Sequence, residues 1–306
     1  MPGGTRLVSI DVDNVDIVYR LVRSVYKGFE DITLESLKES VAAGQAMAAL
    51  VGGEPVAFAS SIIYPGVVEA RNLAVRPGYS DVLRHLLEHM FTSLGGELRV
   101  RLARVSALGI PSIIEAASRL GLKPTRRILK VKWNLHHSVG CPGRHGGGLS
   151  IVRAVELGQA DRIAEAYLEG LATHWKWWIE ADKGGYNHAL AEVTGWIQRD
   201  PSRWLAALVH GKVVGVAGYA RHNRLPGTAW LAGVAVKPGY RLQEIGSTLL
   251  CTLLDIARDE GFREAIVYTY SPIVGLAPGA TLYIKRGGLI QAEYIHFEGR
   301  ASQGQV

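Results

Sequence analysis

Hydrophobic positions along the C-terminal half alternate between strand-like and helix-like spacing. Short runs rich in Val, Ala and Trp fit buried strands, and two of them flank a His210-Gly211 turn, which is typical of a hairpin. From Gln243, apolar residues recur at helical spacing until Gly261. The pattern predicts strand Ser150–Val155, helices Gly158–Leu171 and Ala189–Gln198, strands Trp204–Val209, Val213–Ala220 and Trp230–Val236, a helix from Gln243, strand Ala265–Tyr270, helix Ala280–Arg286 and strand Ile290–Phe297.

The two halves of the chain repeat each other in order. LVGGEPVAFAS from Leu50 returns as LVHGKVVGVAG from Leu208, and NLAVRPGY from Asn72 returns as GVAVKPGY from Gly233. RLGL from Arg119 later returns as RGGL. Matches that stay in register indicate a duplicated domain, so each half is predicted to be a mixed α/β fold.

A Gly-rich segment separates the halves. We predict domains at residues 1–135 and 149–306, joined by the linker HHSVGCPGRHGGG at 136–148. The alternative is a metal site formed by His136, His137, Cys141 and His145. Because no C-x-x-C or H-x-x-x-H pair occurs there, we favour the linker and predict no metal site.

Composition narrows the class of protein. The 306 residues are 48% apolar and 20% charged, which excludes wholesale disorder. A net charge of +6 suits an anionic ligand and permits nucleic acid, although no dense Lys/Arg block occurs. The two cysteines have no motif spacing, and the N-terminus has no signal-peptide pattern, so we expect a cytoplasmic protein. The most apolar stretch is broken at Gly52–Pro55, so we expect no membrane span.

Two segments can carry chemistry. In GVAVKPGYRLQEIGSTLL a strand ends at Val236 and a helix follows, so its first-turn amides, with Arg241 beside them, form a potential anion site. An ordinary β–α unit would have the same features. In ATLYIKRGGL, Tyr283 is either a core residue or a proton donor.

At this spacing the two segments together resemble the GNAT superfamily of acyl-CoA-dependent N-acyltransferases. That family has a V-x-P-x-x-[RQ]-x-x-G-x-[GA] motif, matched from Val236 to Gly246, and a later A-x-x-L-Y-x-x-x-G-F motif, matched at Leu282-Tyr283 and Gly287. The whole chain resembles tandem GNAT proteins such as mycothiol synthase. The resemblance implies two tandem GNAT-like domains, each a mostly antiparallel mixed sheet flanked by helices.

The resemblance also implies roles for individual residues. Acetyl-CoA would donate an acetyl group to a primary amine by direct attack in the C-terminal domain, with Tyr283 as the acid for the leaving thiolate. The cofactor would be bound by the strand backbone and the following loop, namely Val234, Ala235, Val236, Arg241, Leu242, Gln243, Glu244, Ile245, Gly246 and Ser247.

The sequence departs from the family pattern in three ways. Leu242 and Glu244 stand where glycines are common, and the outward strand positions hold Trp230 and Ala232 rather than a catalytic carboxylate, so the base is unassigned. The N-terminal copy lacks the motif glycines and has Ala116 opposite Tyr283. We therefore expect residues 1–135 to be a degenerate, non-catalytic GNAT-like domain.

In GNAT proteins the segment between the first two helices borders the acceptor pocket. Here that segment is THWKWWIEADKGGYN, in which aromatic and charged residues suit a cationic amine. The candidate substrate residues are His174, Trp177, Trp178, Glu180 and Asp182. Alternatively, the tryptophans fasten this loop to the other domain.

Two rival functions remain open. The first is a non-catalytic acyl-CoA-binding or regulatory scaffold. The second is an acetyltransferase whose acceptor is bound to RNA or DNA, which clustering of Arg153, Arg199, Arg203, Arg221 and Arg224 near the pocket would favour. We expect a small-molecule or peptide amine as partner, no membrane, no nucleic acid, and a monomer or homodimer.

Overall fold

The structure, a computed structural model, describes residues 4–27, 32–64, 67–98, 102–136, 148–177, 179 and 184–300. The chain forms two compact units. One contains residues 1–127 and 293–306, and the other contains residues 128–292. Among the described residues, no helix is long and apolar enough to cross a membrane.

The first unit is a mixed sheet with helices packed against it. Its elements are β1 Thr5–Ile10, α1 Asp16–Val25, α2 Leu34–Ala42, β2 Ala46–Val51, β3 Glu54–Tyr64, β4 Val67–Val75, α3 Ser80–Leu98, β5 Leu102–Leu108 and α4 Pro111–Arg119. Strands β1 to β4 pair antiparallel in sequence order, and β4 pairs parallel with β5. Leu83, Leu86, Leu87 and Met90 share one face of α3 at helical spacing and are fully buried in the core.

The second unit repeats this architecture. Its elements are β6 Lys123–Asn134, β7 Leu149–Arg153, α5 Ala154–Leu157, α6 Ala160–Trp177, α7 Tyr186–Arg199, β8 Trp204–Val209, β9 Lys212–Arg221, β10 Thr228–Val236, α8 Ile245–Asp259, β11 Glu264–Ser271, α9 Pro278–Lys285 and β12 Leu289–Arg300. The strand order is β6-β11-β10-β9-β8-β7. Strand β10 pairs parallel with β11, and the β7–β8, β8–β9 and β9–β10 pairs are antiparallel. The expected mixed α/β fold is confirmed.

Helices cover both faces of this second sheet. Val216 packs with α6 and α7, whereas the next residue, Ala217, packs with α8. Because successive side chains of a strand point to opposite faces, α6 and α7 lie on one side of the sheet and α8 lies on the other. Two separate hydrophobic cores result, and they meet the sheet from its two sides.

The unit boundaries differ from the domain limits expected from the sequence. Strand β6 changes unit after Arg127, and β12 changes unit after Ala292. The end of β12 pairs antiparallel with β5, from Tyr294 opposite Leu108 to Arg300 opposite Leu102. The last strand of the chain thus completes the sheet of the first unit. Of the predicted linker, residues 137–147 lie outside the described part of the chain, so the linker and the limits 1–135 and 149–306 stay predictions.

Candidate functional site

A break in strand pairing opens the sheet of the second unit. Strand β10 pairs with β11 only from Thr228 to Trp230, although both strands continue for several residues. The register between β10 and β9 shifts between Leu231 and Gly233, and Gly233 has φ +112°. This bulge turns β10 away from β11 and leaves backbone groups of β10 without strand partners on that side.

Tyr283 lies at this opening. Its ring is buried and packs edge-on against Trp133, with ring centroids 5.7 Å apart. The Tyr283 hydroxyl oxygen accepts a hydrogen bond of 3.1 Å from the backbone N–H of Val234. In the described part of the chain no acceptor binds the hydroxyl proton, so that proton is available to a ligand. Burial raises the pKa of Tyr283 to about 12, and the Val234 N–H opposes that rise, so the phenol is neutral at ordinary pH.

A second tyrosine hydroxyl lies on the other side of the bulge. Tyr167 of α6 donates to the carbonyl of Ala232, and its ring packs edge-on against Trp204. Burial raises the pKa of Tyr167 far above its ordinary value, and Tyr283 raises it further. A Cβ placed on Gly233 would lie 3.4 Å from the Tyr283 hydroxyl and 3.9 Å from that of Tyr167. Sequence reasoning missed Tyr167, because it sits among apolar helix positions without a motif.

The loop before α8 keeps a glycine-like backbone without glycines. Leu242 has φ +62° and Glu244 has φ +58°, and both side chains are exposed to solvent. The amides of Ile245, Gly246 and Ser247 precede the first helical bond, which joins the Thr248 N–H to the Glu244 carbonyl. Leu242 and Glu244, which stand where the family pattern has glycines, thus adopt the backbone conformation that favours glycine.

Gly246 lies where this loop meets the opened strand. A Cβ there would be 3.3 Å from Leu282, 3.5 Å from Val236 and 3.8 Å from Val234. The structure thus brings Gly246, Val234, Val236 and the Tyr283 segment together, as the motifs indicate. Leu242, Gln243 and Glu244 are exposed beside them.

Arg241 binds the protein's own backbone. Its Nε donates to the Val236 carbonyl at 3.1 Å, and its Nη2 donates to the Gly170 carbonyl of α6 at 2.9 Å. Beside it, Lys237 pairs with Glu169 at 2.7 Å. These contacts fasten the loop to α6 and to the end of β10, so the guanidinium has a structural role that sequence reasoning did not foresee.

The predicted acceptor residues, or their side chains, lie outside the described part of the chain. Trp178, Glu180 and Asp182 are outside the described residues, and so are the side chains of His174 and Trp177. They stay predictions. A cavity of about 380 Å³ in the second unit is lined by other residues, of which sequence reasoning had considered only Arg199, Arg203 and Arg221 near an acceptor pocket. Its lining residues are Trp196, Arg199, Asp200, Arg203, Trp204, Tyr219, Ala220, Arg221, Trp230 and Ala232. Within the described part of the chain, no group of acidic, histidine and cysteine residues is arranged to hold a metal ion.

The first unit keeps the bulge and differs from the second unit at the counterparts of Tyr283 and of the loop before α8. Asn72, the counterpart of Gly233, has φ +50°, and the register between β3 and β4 shifts beside it. Ala116, the counterpart of Tyr283, is fully buried. Helix α3 starts at Ser80, directly after the Pro-Gly turn. That this unit is non-catalytic stays a prediction.

Comparison with known proteins finds a family match and similar folds. Residues 169–272 match the family described as "Acetyltransferase (GNAT) family". Over 98% of its length, the chain is similar to a GCN5-related N-acetyltransferase structure from Sphaerobacter thermophilus (97% of that chain, 16% identity, TM-score 0.80). It is also similar over 97% of its length to a tandem GNAT protein from the clavulanic acid biosynthesis pathway (99% of that chain, 14% identity, TM-score 0.64).

A third similar structure is the GCN5-related glucosamine N-acetyltransferase region of a fungal multi-domain GH3 β-N-acetylglucosaminidase, with 12% identity and a TM-score of 0.66. This chain is covered over 98% of its length and that chain over 38%. The comparison with curated proteins finds no match. The specific likeness to mycothiol synthase stays a prediction. The second unit carries a domain of the GNAT acetyltransferase family, the family of acyl-CoA-dependent N-acyltransferases, and the whole chain has the fold of tandem GNAT proteins.

Proposed function

We propose that the second unit transfers an acetyl group from acetyl-CoA directly to a primary amine, a small molecule or a peptide, at the β10 bulge. The observation that carries this proposal is the Tyr283 hydroxyl. It accepts from the Val234 N–H where β10 leaves β11, and its own proton has no acceptor in the described part of the chain.

The residues around the bulge fit an acyl-CoA. The open edge of β10 at Val234–Val236 offers backbone groups to the amide-bearing pantetheine arm. The amides at the start of α8 suit the pyrophosphate, since the N–H groups of Ile245, Gly246 and Ser247 precede the first helical bond and have no acceptor in the described part of the chain. Gly246 keeps the loop close to the strand, since a Cβ there would already lie 3.3 Å from the Leu282 side chain.

The chemistry follows from two neutral phenols beside one backbone bulge. The amine nitrogen attacks the thioester carbonyl, a C–N bond forms, the C–S bond breaks, and the proton lost by nitrogen ends on sulfur. The Tyr283 hydroxyl donates to the departing sulfur while negative charge develops there. Tyr167 holds the Ala232 carbonyl and so fixes the bulge.

The pKa of Tyr283 determines how this donation works. A phenol of pKa about 12 would lose about 5 kcal/mol by giving its proton outright to a thiolate whose thiol has a pKa of about 8.5. The hydroxyl therefore acts by hydrogen-bond donation, or by passing on a proton that the nitrogen replaces. Because the phenol stays neutral, this donor is present throughout the physiological pH range.

The proposal is tested by calorimetric titration with acetyl-CoA and CoA, followed by turnover of a panel of primary amines measured as released thiol. Tyr283→Phe should lower kcat by about 100-fold, within the usual range for a general acid, and change acetyl-CoA affinity little. Tyr26→Phe, a buried tyrosine of the first unit, is the matched control. Unchanged kcat in Tyr283→Phe would remove the tyrosine from the mechanism. Acetyl-CoA binding without turnover of any amine would favour the scaffold function.

The same proposal includes three further points. The first is that the donor is acetyl-CoA rather than a longer acyl-CoA, the second that the protein is a monomer or homodimer, and the third that it is cytoplasmic. The first is tested by comparing acyl chain lengths in the turnover assay. The second is tested by light scattering on the purified protein.

A further inference from the structure

The cavity of about 380 Å³ in the second unit reaches the proposed reaction site. It is formed by the end of α7, the turn Pro201–Arg203 and the ends of β9 and β10, and it extends to Ala232. The carbonyl of Ala232 is the group that Tyr167 holds beside Gly233. A molecule in this cavity would therefore have one end next to the bulge.

The positive charge in the cavity is only partly neutralised. Arg203 has carboxylate partners at 3.2 Å in Asp200 and at 3.4 Å in Glu260. Within the described part of the chain, Arg199 and Arg221 have no carboxylate within ion-pair distance. Arg221 lies instead over the Phe262 ring, 5.2 Å from its centroid. Asp200 also lines the cavity and is the partner of Arg203. Arg199 and Arg221 line it without a carboxylate partner in the described part of the chain, and this excess of positive charge favours an anionic ligand group.

Three indole rings supply the apolar part of the same wall. Trp196 comes from α7, Trp204 begins β8, and Trp230 lies on β10 directly opposite Ala220. Trp204 is buried, and its ring is fixed by Tyr167 and by Gly218, where any side chain would collide with the indole. Flat rings beside arginines are suited to a planar or apolar body that carries a negative group.

Resting on the proposed function, we propose that this cavity binds an acceptor amine that itself carries an anionic group, a carboxylate or a phosphate ester. Arg199 and Arg221 bind the anion, the three tryptophans hold the body, and the amine lies beside Ala232. Clustering of Arg153, Arg199, Arg203, Arg221 and Arg224 was expected to favour a nucleic-acid-bound acceptor, and three of them, Arg199, Arg203 and Arg221, line this cavity. However, these three arginines line one cavity, and its volume is typical of small-molecule sites.

The test uses benzylamine and its para-substituted carboxylate, phosphonate and carboxamide derivatives. Their kcat/KM values are compared in the wild-type protein, in Arg199→Gln, in Arg221→Gln and in the double variant. Arg224→Gln is the matched control, because Arg224 does not line the cavity. Both Arg199 and Arg221 are exposed, so folding should survive their replacement. The carboxylate and phosphonate arms distinguish the two sources of negative charge.

We expect an anionic amine to exceed the carboxamide by about tenfold or more, and each arginine variant to reduce that preference by about tenfold. Equal rates for charged and neutral amines, or a preference that survives in the double variant, would overturn the inference while the proposed function stands. A readout independent of turnover is tryptophan fluorescence on titration with 4-(acetamidomethyl)benzoate. Saturable quenching that the double variant loses supports the inference even if no amine reacts, and a lack of quenching opposes it. Competition by a short oligonucleotide, with no effect of the small anions, would also overturn it in favour of nucleic acid.

Discussion

Replacing Leu242 with glycine isolates the backbone strain of the loop before α8. Leu242 has φ +62°, and its side chain is fully exposed, so the substitution removes backbone strain and no packing. An L-residue in the left-handed region costs about 1–2 kcal/mol. The greater conformational freedom of glycine in the unfolded chain offsets about 0.5–1 kcal/mol of the stabilisation gained by relieving this strain. Leu242→Gly should therefore stabilise the protein by about 0.5–1 kcal/mol, which corresponds to a rise in Tm of about 1–4 °C.

The assay is denaturant unfolding followed by tryptophan fluorescence, with Gln243→Gly as the control. Gln243 is the next residue and is also exposed, but it is not among the positive-φ positions. Glycine there should cost about 0.5–1 kcal/mol through unfolded-state entropy, and it also removes the long hydrogen bond of 3.5 Å from Gln243 Nε2 to the Gly239 carbonyl. The two substitutions should thus shift the midpoint in opposite directions with unchanged m-values. A loss of stability in Leu242→Gly equal to that in Gln243→Gly would refute the left-handed loop.

Three further predictions concern other parts of the second unit. Glu244→Gln removes a negative charge beside the proposed pyrophosphate site. Calorimetry at low salt should therefore show acetyl-CoA binding about two- to fivefold tighter than in the wild-type protein. Equal affinity would place the pyrophosphate elsewhere. Gly170→Ala puts a Cβ 2.8 Å from the Val236 nitrogen and should lower the free energy of unfolding by about 1–3 kcal/mol in denaturant. The control is Gly195→Ala, whose Cβ meets nothing within 4 Å and which should raise the free energy of unfolding by up to about 1 kcal/mol. Equal effects of the two substitutions would contradict the close contact of α6 with β10. Burial raises the pKa of Tyr283 to about 12, so the stability that the buried neutral phenol contributes is fully present below pH 10 and is lost as pH rises toward 12. Between pH 9 and pH 11 the free energy of unfolding should therefore fall less in Tyr283→Phe than in the wild-type protein. An equal fall in both proteins would contradict the burial of Tyr283.

The sequence pattern predicted the order of elements in the second unit because each element carries its own local signal. It did not predict that β12 completes the first unit, since alternation within Ile290–Phe297 identifies a strand and not its partner. Partner choice depends on tertiary packing. For that reason the expected limit of the second domain at residue 306 and the observed unit boundary after Ala292 differ.

The candidate site divides in the same way. Tyr283 and Gly246 were found because they belong to a spaced motif, and the structure places both at the opened strand. Tyr167 was missed because its position in α6 fits a core residue equally well. Arg241 was expected to bind the cofactor, which stays a prediction, and sequence reasoning missed that its Nε and Nη2 donate to two backbone carbonyls.

The contacts of Arg241 also explain how a loop without glycines keeps its course. Leucine and glutamate are unfavourable in the left-handed region, and Leu242 with Glu244 together cost about 2–4 kcal/mol. Such strain persists only where the surrounding structure fixes the backbone. Here Arg241 holds the start of the loop to Val236 and Gly170, and the Thr248 N–H holds its end at the Glu244 carbonyl. Arg241 therefore supports the proposed donor site by fixing the amides at the start of α8, which explains why a strained sequence retains the loop.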